Sequence, residues 1–308
     1  MTASPGAAMT MNSVSKWYRS RVLALQDVSA VIPVGARVGL LGPNGAGKST
    51  VVKLLHGTLR PTTGRVQVLG VDAGASSFID VRRRMGVVPQ SAGVYSDLTG
   101  GEYLDLARAA YGQGDLTAVI DRFGLGAHLQ KSMSKLSGGL QRRVSLAAAL
   151  VAEPEILIMD EPSLGLDPVA AEEMYGYLRD ISPGRTVLVC TNNIAEAEAL
   201  CDHVVILKDG RVVLHGPLDG LRGQRSQVVI RATQPRDSLL AHLAGLGIAA
   251  RAEENGVLID LEDGARYDEA VPKILRSLLD SGFDVVECRP LESMLKTAFF
   301  DAVQGLAP

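Results

Sequence analysis

A glycine-rich loop carrying one lysine and a pair of carboxylates ending an apolar run are the parts of this chain best suited to chemistry. The loop is Gly42-Pro43-Asn44-Gly45-Ala46-Gly47-Lys48-Ser49, followed by Thr50, and its spacing is G-x-x-x-x-G-K-[ST]. Glycines at these places let successive backbone N–H groups approach phosphate oxygens at a helix N-terminus. Lys48 would reach the β and γ phosphates, and the Ser49 hydroxyl would ligate Mg2+. Gly42, Asn44, Gly45, Ala46, Gly47, Lys48, Ser49 and Thr50 are therefore the candidate phosphate-binding residues. The carboxylates, Asp160 and Glu161, close the stretch "EILIMDEP". Alone they fit a surface turn equally well; with the loop upstream, Asp160 is expected to hold the metal and Glu161 to accept a proton from, or orient, an attacking water.

Two further stretches join these. Leu136-Ser137-Gly138-Gly139 precedes Leu140-Gln141-Arg142-Arg143, where a serine and two glycines would open a helix and present N–H groups to an anion. By itself this is an ordinary helix cap. The buried-strand pattern "TVLVCT" ends on Asn192 and Asn193 before the helical "IAEAEAL".

These residues need a scaffold that brings strand ends and helix starts together. Between Val22 and Gly216, short β-branched runs ("RVGLLG", "RVQVLG", "GVVPQ", "EILIMDEP", "TVLVCT", "HVVILKDG") alternate with amphipathic segments. That alternation predicts an α/β fold with a largely parallel sheet. Residues 91–135 read instead as a helical insert, with "GEYLDLARAAYG" and "LTAVIDRFG" as its helices. Past "GPLDGLRGQRSQ" the order becomes β-α-β-β-α-β, which predicts a small α+β, ferredoxin-like domain over 227–308 with a last helix from about Glu292. The boundary is expected near residue 222, and the first ten residues are expected to be disordered.

The 308 residues are 46% hydrophobic, ample for two cores, and the formal net charge of −3 gives no reason to expect nucleic acid. The cluster Arg82-Arg83-Arg84 reads as a solvated helix face. Cys190, Cys201 and Cys288 are too scattered for a disulfide framework. No basic-then-apolar leader and no apolar run of about 18 residues is present, so neither an export signal nor a membrane span is expected.

Taken together, over about residues 11–220, these ordered motifs resemble the nucleotide-binding subunit of ATP-binding-cassette (ABC) transporters. The resemblance implies a P-loop NTPase cassette using ATP and Mg2+. It places Lys48 and Ser49 in Walker A, Gln90 in the Q-loop as a catalytic and metal-binding residue, and Ser137, Gly138 and Gly139 in the signature. Asp160 and Glu161 fall in Walker B, and Asp167 in the D-loop within "SLGLD". Tyr18 falls where the family stacks an aromatic ring on adenine, with Trp17 the neighbouring alternative. The signature departs at Leu140, where Gln is common. The resemblance also implies two cassettes sandwiching two nucleotides, as a homodimer or heterodimer, with transmembrane permease subunits as separate polypeptides at the cytoplasmic face of the cell membrane. The accessory domain is similar to that of the ABC-2-type branch exporting drugs, antibiotics or polymers, and reads as a dimerisation or stability module.

At the family's switch histidine this chain carries Asn192, since His56, His128, His203, His215 and His242 all lie elsewhere. An asparagine can copy one ring nitrogen as a donor, but it ends before the other and carries no titratable proton. Two expectations follow. Either Asn192 caps the following helix and Glu161 sustains hydrolysis, or the γ-phosphate contact is weakened and the chain is a slow, dimerising regulatory module. Asn193 is given no catalytic role.

Overall fold

The structure, a computed structural model, describes residues 6–19, 22–90, 96–112, 114–218, 227–253, 256–261, 267–290 and 294–304. It divides into two units, Met1–His215 and Gly216–Pro308. The boundary expected near 222 lies outside the described residues.

In the first unit the chain runs through β1 (Ala7–Trp17), β2 (Leu23–Pro33), β3 (Arg37–Leu41), α1 (Lys48–Leu55), β4 (Thr63–Val68), β5 (Val71–Asp72), α2 (Phe78–Arg82) and β6 (Met85–Val88). It continues through α3 (Gly100–Tyr111), α4 (Leu116–Arg122), α5 (Gly138–Leu150), β7 (Ile156–Asp160), α6 (Pro168–Ile181), β8 (Thr186–Thr191), α7 (Ile194–Leu200), β9 (His203–Lys208) and β10 (Arg211–Pro217), whose last two residues fall past the end of this unit. One sheet has the order β10-β9-β3-β8-β7-β6, and β9, β3, β8, β7 and β6 pair in parallel. Its central strands are buried on both faces, as parallel strands covered by helices must be: every residue of β8 is buried.

The register sets the site. Leu41 pairs with Thr191, and Asp160 with Cys190, so β3, β7 and β8 end level. The glycine loop, the two carboxylates and Asn192 therefore leave the same carboxyl edge of the sheet, where ligands of open α/β sheets bind.

A second sheet, β2-β1-β4-β5, is antiparallel. It corrects two expectations. "RVQV" is a strand but not part of the parallel sheet, because it pairs with β1, Met9 opposite Val68. Residues 7–10 are ordered strand rather than disorder, because Ala8 and Met9 are 1% exposed in the core with Val66 and Val68. The arginine cluster is corrected too. Arg82 folds inward, donating to the carbonyls of His56 (3.1 Å) and Gly57 (2.6 Å) over the Phe78 ring, while Arg83 pairs with Asp80 and Arg84 with Glu155.

The insert is helical, as expected. Thr99 and Glu102 form a capping box at α3, and Asp115 caps α4. Cys190 and Cys201 are free and buried, which pushes both thiols up.

The second unit contains β11 (Gln227–Ala232), α8 (Arg236–Gly245), β12 (Ala250–Glu253), β13 (Gly256–Asp260), α9 (Tyr267–Asp280), β14 (Val285–Pro290) and α10 (Met294–Gln304). Its antiparallel sheet has the order β12-β13-β11-β14, the split β-α-β arrangement of ferredoxin-like domains. Alternate residues Val228 and Ile230 of β11 and Val257 and Ile259 of β13 meet Leu239, Leu243, Val271, Ile274 and Leu278 in one core. Among the described residues no helix is long and apolar enough to cross a membrane.

Candidate active site

Two glycines of the loop after β3 stand where no side chain fits. A Cβ on Gly42 would lie 2.4 Å from the Leu207 carbonyl oxygen, and one on Gly47, at φ +107, would lie 2.7 Å from the Ala24 carbonyl oxygen. Gly47 is the N-cap of α1 and supplies no side-chain acceptor, leaving the first N–H groups of the helix for an anion.

Lys48 is 7% exposed. Its ammonium donates to the Gly42 carbonyl at 2.7 Å and the Pro43 carbonyl at 3.4 Å, and stands 3.8 Å from Glu161 Oε1. This places it at the mouth of the loop with an anion already beside it. Burial raises the pKa of Glu161, opposed first by the Lys48 charge and then by the Asn192 backbone N–H, which donates to the carboxylate. Burial likewise raises Asp160, opposed first by a hydrogen bond from the Ser49 hydroxyl, at 3.3 Å. The Glu161 backbone is left-handed, at φ +51, so its carboxylate leaves the strand end in a conformation that a non-glycine residue holds only when its surroundings impose it.

Asn192 is exposed beside these groups, its amide nitrogen 3.5 Å from the Asn44 side-chain oxygen, at the outer limit of a hydrogen bond. It is not the helix cap. That role belongs to Asn193, whose side-chain oxygen accepts from the N–H groups of Ala195 (3.1 Å) and Glu196 (3.4 Å). Asn193→Ala is expected to lower unfolding free energy by about 1 kcal/mol, measured by chemical denaturation.

The other predicted residues divide into two sets. Tyr18 is joined to the loop helix by a 3.3 Å contact between its hydroxyl and that of Thr50, whereas Trp17 is tied by its backbone to Thr62. Gln90 follows β6 and is exposed, its carbonyl accepting from Arg142 at 2.5 Å. Ser137 caps α5 and Asp167 caps α6, the latter accepting from Val169 and Ala170 N–H groups at 3.0 Å. Among the described residues no hydrogen bond joins Ser137, Gly138, Gly139 or Asp167 to the glycine loop. They neighbour one another instead, a Cβ on Gly138 falling 3.7 Å from the Gly165 carbonyl oxygen.

Two residues of the site were not singled out from sequence. Arg142 is 6% exposed and Glu196 is 1% exposed. Helical spacing held the signal: Glu196, Ala197 and Leu200 share the buried face of α7, and Arg142, Ser145, Leu146 and Ala149 that of α5.

The profile of the ABC transporter family matches residues 25–164. The chain is 33% identical over 290 residues to the daunorubicin resistance ATP-binding protein DrrA3 of Streptomyces coeruleorubidus, covering 90% of each chain. It is 35% identical over 216 residues to the Nod factor export ATP-binding protein I of Rhizobium etli, 68% of each. Among solved structures, an ATP-binding subunit of an ABC transporter superposes with a TM-score of 0.63 at 33% identity, covering 70% of this chain and 92% of that one. A dimeric bacterial ABC transporter cassette, also solved with ADP and Pi bound, gives 0.62 at 27% identity, covering 68% and 98%.

Proposed function

The chain belongs to the ABC transporter family, as an ATP-binding subunit with ATPase activity, and on that premise we propose that it drives an ABC-2-type exporter through separate transmembrane subunits. The observation that carries this reading is the shared sheet edge, where Lys48, Ser49, Asp160 and Glu161 lie within 3.8 Å of one another pair by pair, Lys48 to Glu161 and Ser49 to Asp160. The relatives named for daunorubicin resistance and Nod factor export support an export role.

The residues suit Mg2+. Ser49 Oγ and Asp160 Oδ2 are 3.3 Å apart, close to the ~3 Å edge of an octahedron with bonds of about 2.1 Å. Ser49 and Asp160 would hold the ion, with Gln90 adding an amide oxygen. Bound with ATP, Mg2+ would supply neutralisation of phosphate charge. The chain does the rest. The N–H groups of residues 45–50 cradle the phosphates, with Gly42 allowing the close turn and the Asn44 side chain at its rim. Lys48 leaves the Gly42 and Pro43 carbonyls for the phosphates. Tyr18 faces adenine. Glu161, with its proton affinity raised by burial, orients water for attack.

Ser137, Gly138, Gly139 and Asp167 lie apart from this chain's own loop, and we read them as completing the nucleotide site of a second cassette. The cassette of about 11–222 would thus work as a dimer at the cytoplasmic face of the cell membrane, and the domain of 227–308 would serve dimerisation or stability. Co-expression and co-purification with a candidate ABC-2-type multispanning protein tests the reading. ATP turnover stimulated by that protein is expected; a chain that binds no membrane subunit and hydrolyses nothing counts against it.

Asn192 sets the rate. Its amide reaches Asn44 at 3.5 Å, and a shorter side chain than histidine leaves the γ-phosphate contact long or water-mediated. Asn192→His is expected to raise the steady-state rate of the assembled complex several-fold, up to about tenfold. An unchanged or lower rate would show that Asn192 is not rate-limiting.

A further inference from the structure

Glu196 and Arg142 have no part in the chemistry above, yet both are buried against the turn that carries Glu161. That turn spans Glu161 to Leu164 and is closed by the Leu164 N–H donating to the Glu161 carbonyl at 3.1 Å. At its start the Glu161 N–H donates to the Cys190 carbonyl at 2.7 Å. Arg142, from α5, donates to the same Glu161 carbonyl at 3.0 Å. Its guanidinium also donates to the carbonyls of Pro89 at 2.6 Å and Gln90 at 2.5 Å. On the other side Glu196, from α7, accepts the Ser163 N–H at 3.1 Å.

The Ser163 and Thr191 side chains also hydrogen-bond to Glu196, and the Arg142 and Glu196 charges attract each other across the turn. Arg142 makes no ion pair among the described residues, and one oxygen of Glu196 has no hydrogen-bond partner although its residue is 1% exposed. A buried carboxylate oxygen left unpaired is costly, and a turn needs no such device to close. Both side chains also hydrogen-bond to the peptide chain between them, which holds Glu161 at φ +51. That conformation costs roughly 1–3 kcal/mol and persists where neighbours over-determine it.

We propose that Arg142 and Glu196 form a clamp on the Glu161–Leu164 turn and are positioning residues for Glu161, fixing the aim of its carboxylate from the signature helix and the switch helix at once. The proposal rests on Glu161 acting as the base of an ATPase site. Because one guanidinium grips both Gln90 and Glu161, a shift of the Q-loop backbone is passed to the carboxylate without touching the nucleotide. A base displaced by about 1 Å forfeits on the order of a hundredfold in rate, while phosphate binding by the glycine loop is unaffected.

The test uses the full chain assembled with its transmembrane partner, comparing wild type, Glu196→Ala, Glu196→Gln, Arg142→Lys and Glu161→Gln. Glu196→Ala is expected to lower kcat by about 10- to 100-fold with KM for ATP within about twofold of wild type. Glu196→Gln keeps an oxygen to accept the Ser163 N–H and is expected to recover most of kcat. Arg142→Lys keeps the charge but not the fork that spans two segments, and is expected to lower kcat with KM unchanged. Equal kcat for Glu196→Ala and wild type would overturn the clamp, as would loss of KM and kcat together in Glu196→Ala with no recovery in Glu196→Gln. Where Glu196→Ala does not fold, Arg142→Lys decides by the same split. If wild type and Glu161→Gln turn over ATP equally, the ATPase reading fails; if only Glu161→Gln is impaired, the clamp alone fails.

Discussion

Glu161→Gln will bind ATP and fail to turn it over. The substitution preserves shape and leaves an oxygen to accept the Asn192 N–H, but it removes the proton acceptor that burial has made more basic. Loss of a general base lowers kcat by about 10²- to 10⁴-fold. Affinity for ATP should hold or improve, because the anion facing the incoming γ-phosphate is gone while Lys48, 3.8 Å away, stays free to pair with the nucleotide. Phosphate release at saturating ATP and equilibrium nucleotide binding, measured on the same sample, separate the two effects. A kcat within about threefold of wild type would remove Glu161 from the mechanism.

Lys48→Ala will lose nucleotide binding and some stability together. Two carbonyls, of Gly42 and Pro43, accept from this ammonium, and the Glu161 carboxylate is paired with it at 3.8 Å. Leaving a buried acceptor unpaired costs about 1–3 kcal/mol, and an uncompensated buried carboxylate costs more. ATP affinity should fall at least about tenfold, since the phosphates lose their only buried cation among the described residues at the loop. The stability loss should shrink in the Lys48→Ala, Glu161→Gln double variant, because neutralising Glu161 removes the charge that was stranded. Titration calorimetry and thermal melting check both parts; additive stability losses would mean that the Lys48–Glu161 contact is not coupled.

Much of this site was legible because its chemistry is local. The glycine loop and the paired carboxylates each follow a strand within a few residues, so spacing locates the loop, the loop singles out the carboxylates, and strand ends in a parallel sheet fall at one edge. What depends on distant partners was less visible. The start of β1 has no clean alternation, since its pairing with β2 is interrupted by register shifts and Ser13 sits at φ +48; pairing with β2 and β4 and burial in their shared core order Ala8 and Met9. Likewise "RVQV" declares a strand but not its sheet, because pairing with β1 is a contact across more than fifty residues. Arg82, Arg142 and Glu196 are charged residues on short or amphipathic helices, where solvent exposure is the ordinary expectation. Arg142 and Glu196 are buried, and Arg82 half-buried, against carbonyls or N–H groups contributed from elsewhere in the chain. The two asparagines show both cases. Asn193 caps α7 by a local rule, whereas the side-chain neighbour of Asn192 is Asn44, far off in sequence.

The most direct test of the account is single-turnover cleavage of ATP by this chain assembled with its transmembrane partner, with Glu161→Gln and Asn192→His measured alongside. Cleavage by wild type, its loss in Glu161→Gln and its acceleration in Asn192→His would be the predicted result. ATP held in stoichiometric amount and left uncleaved by all three would contradict it.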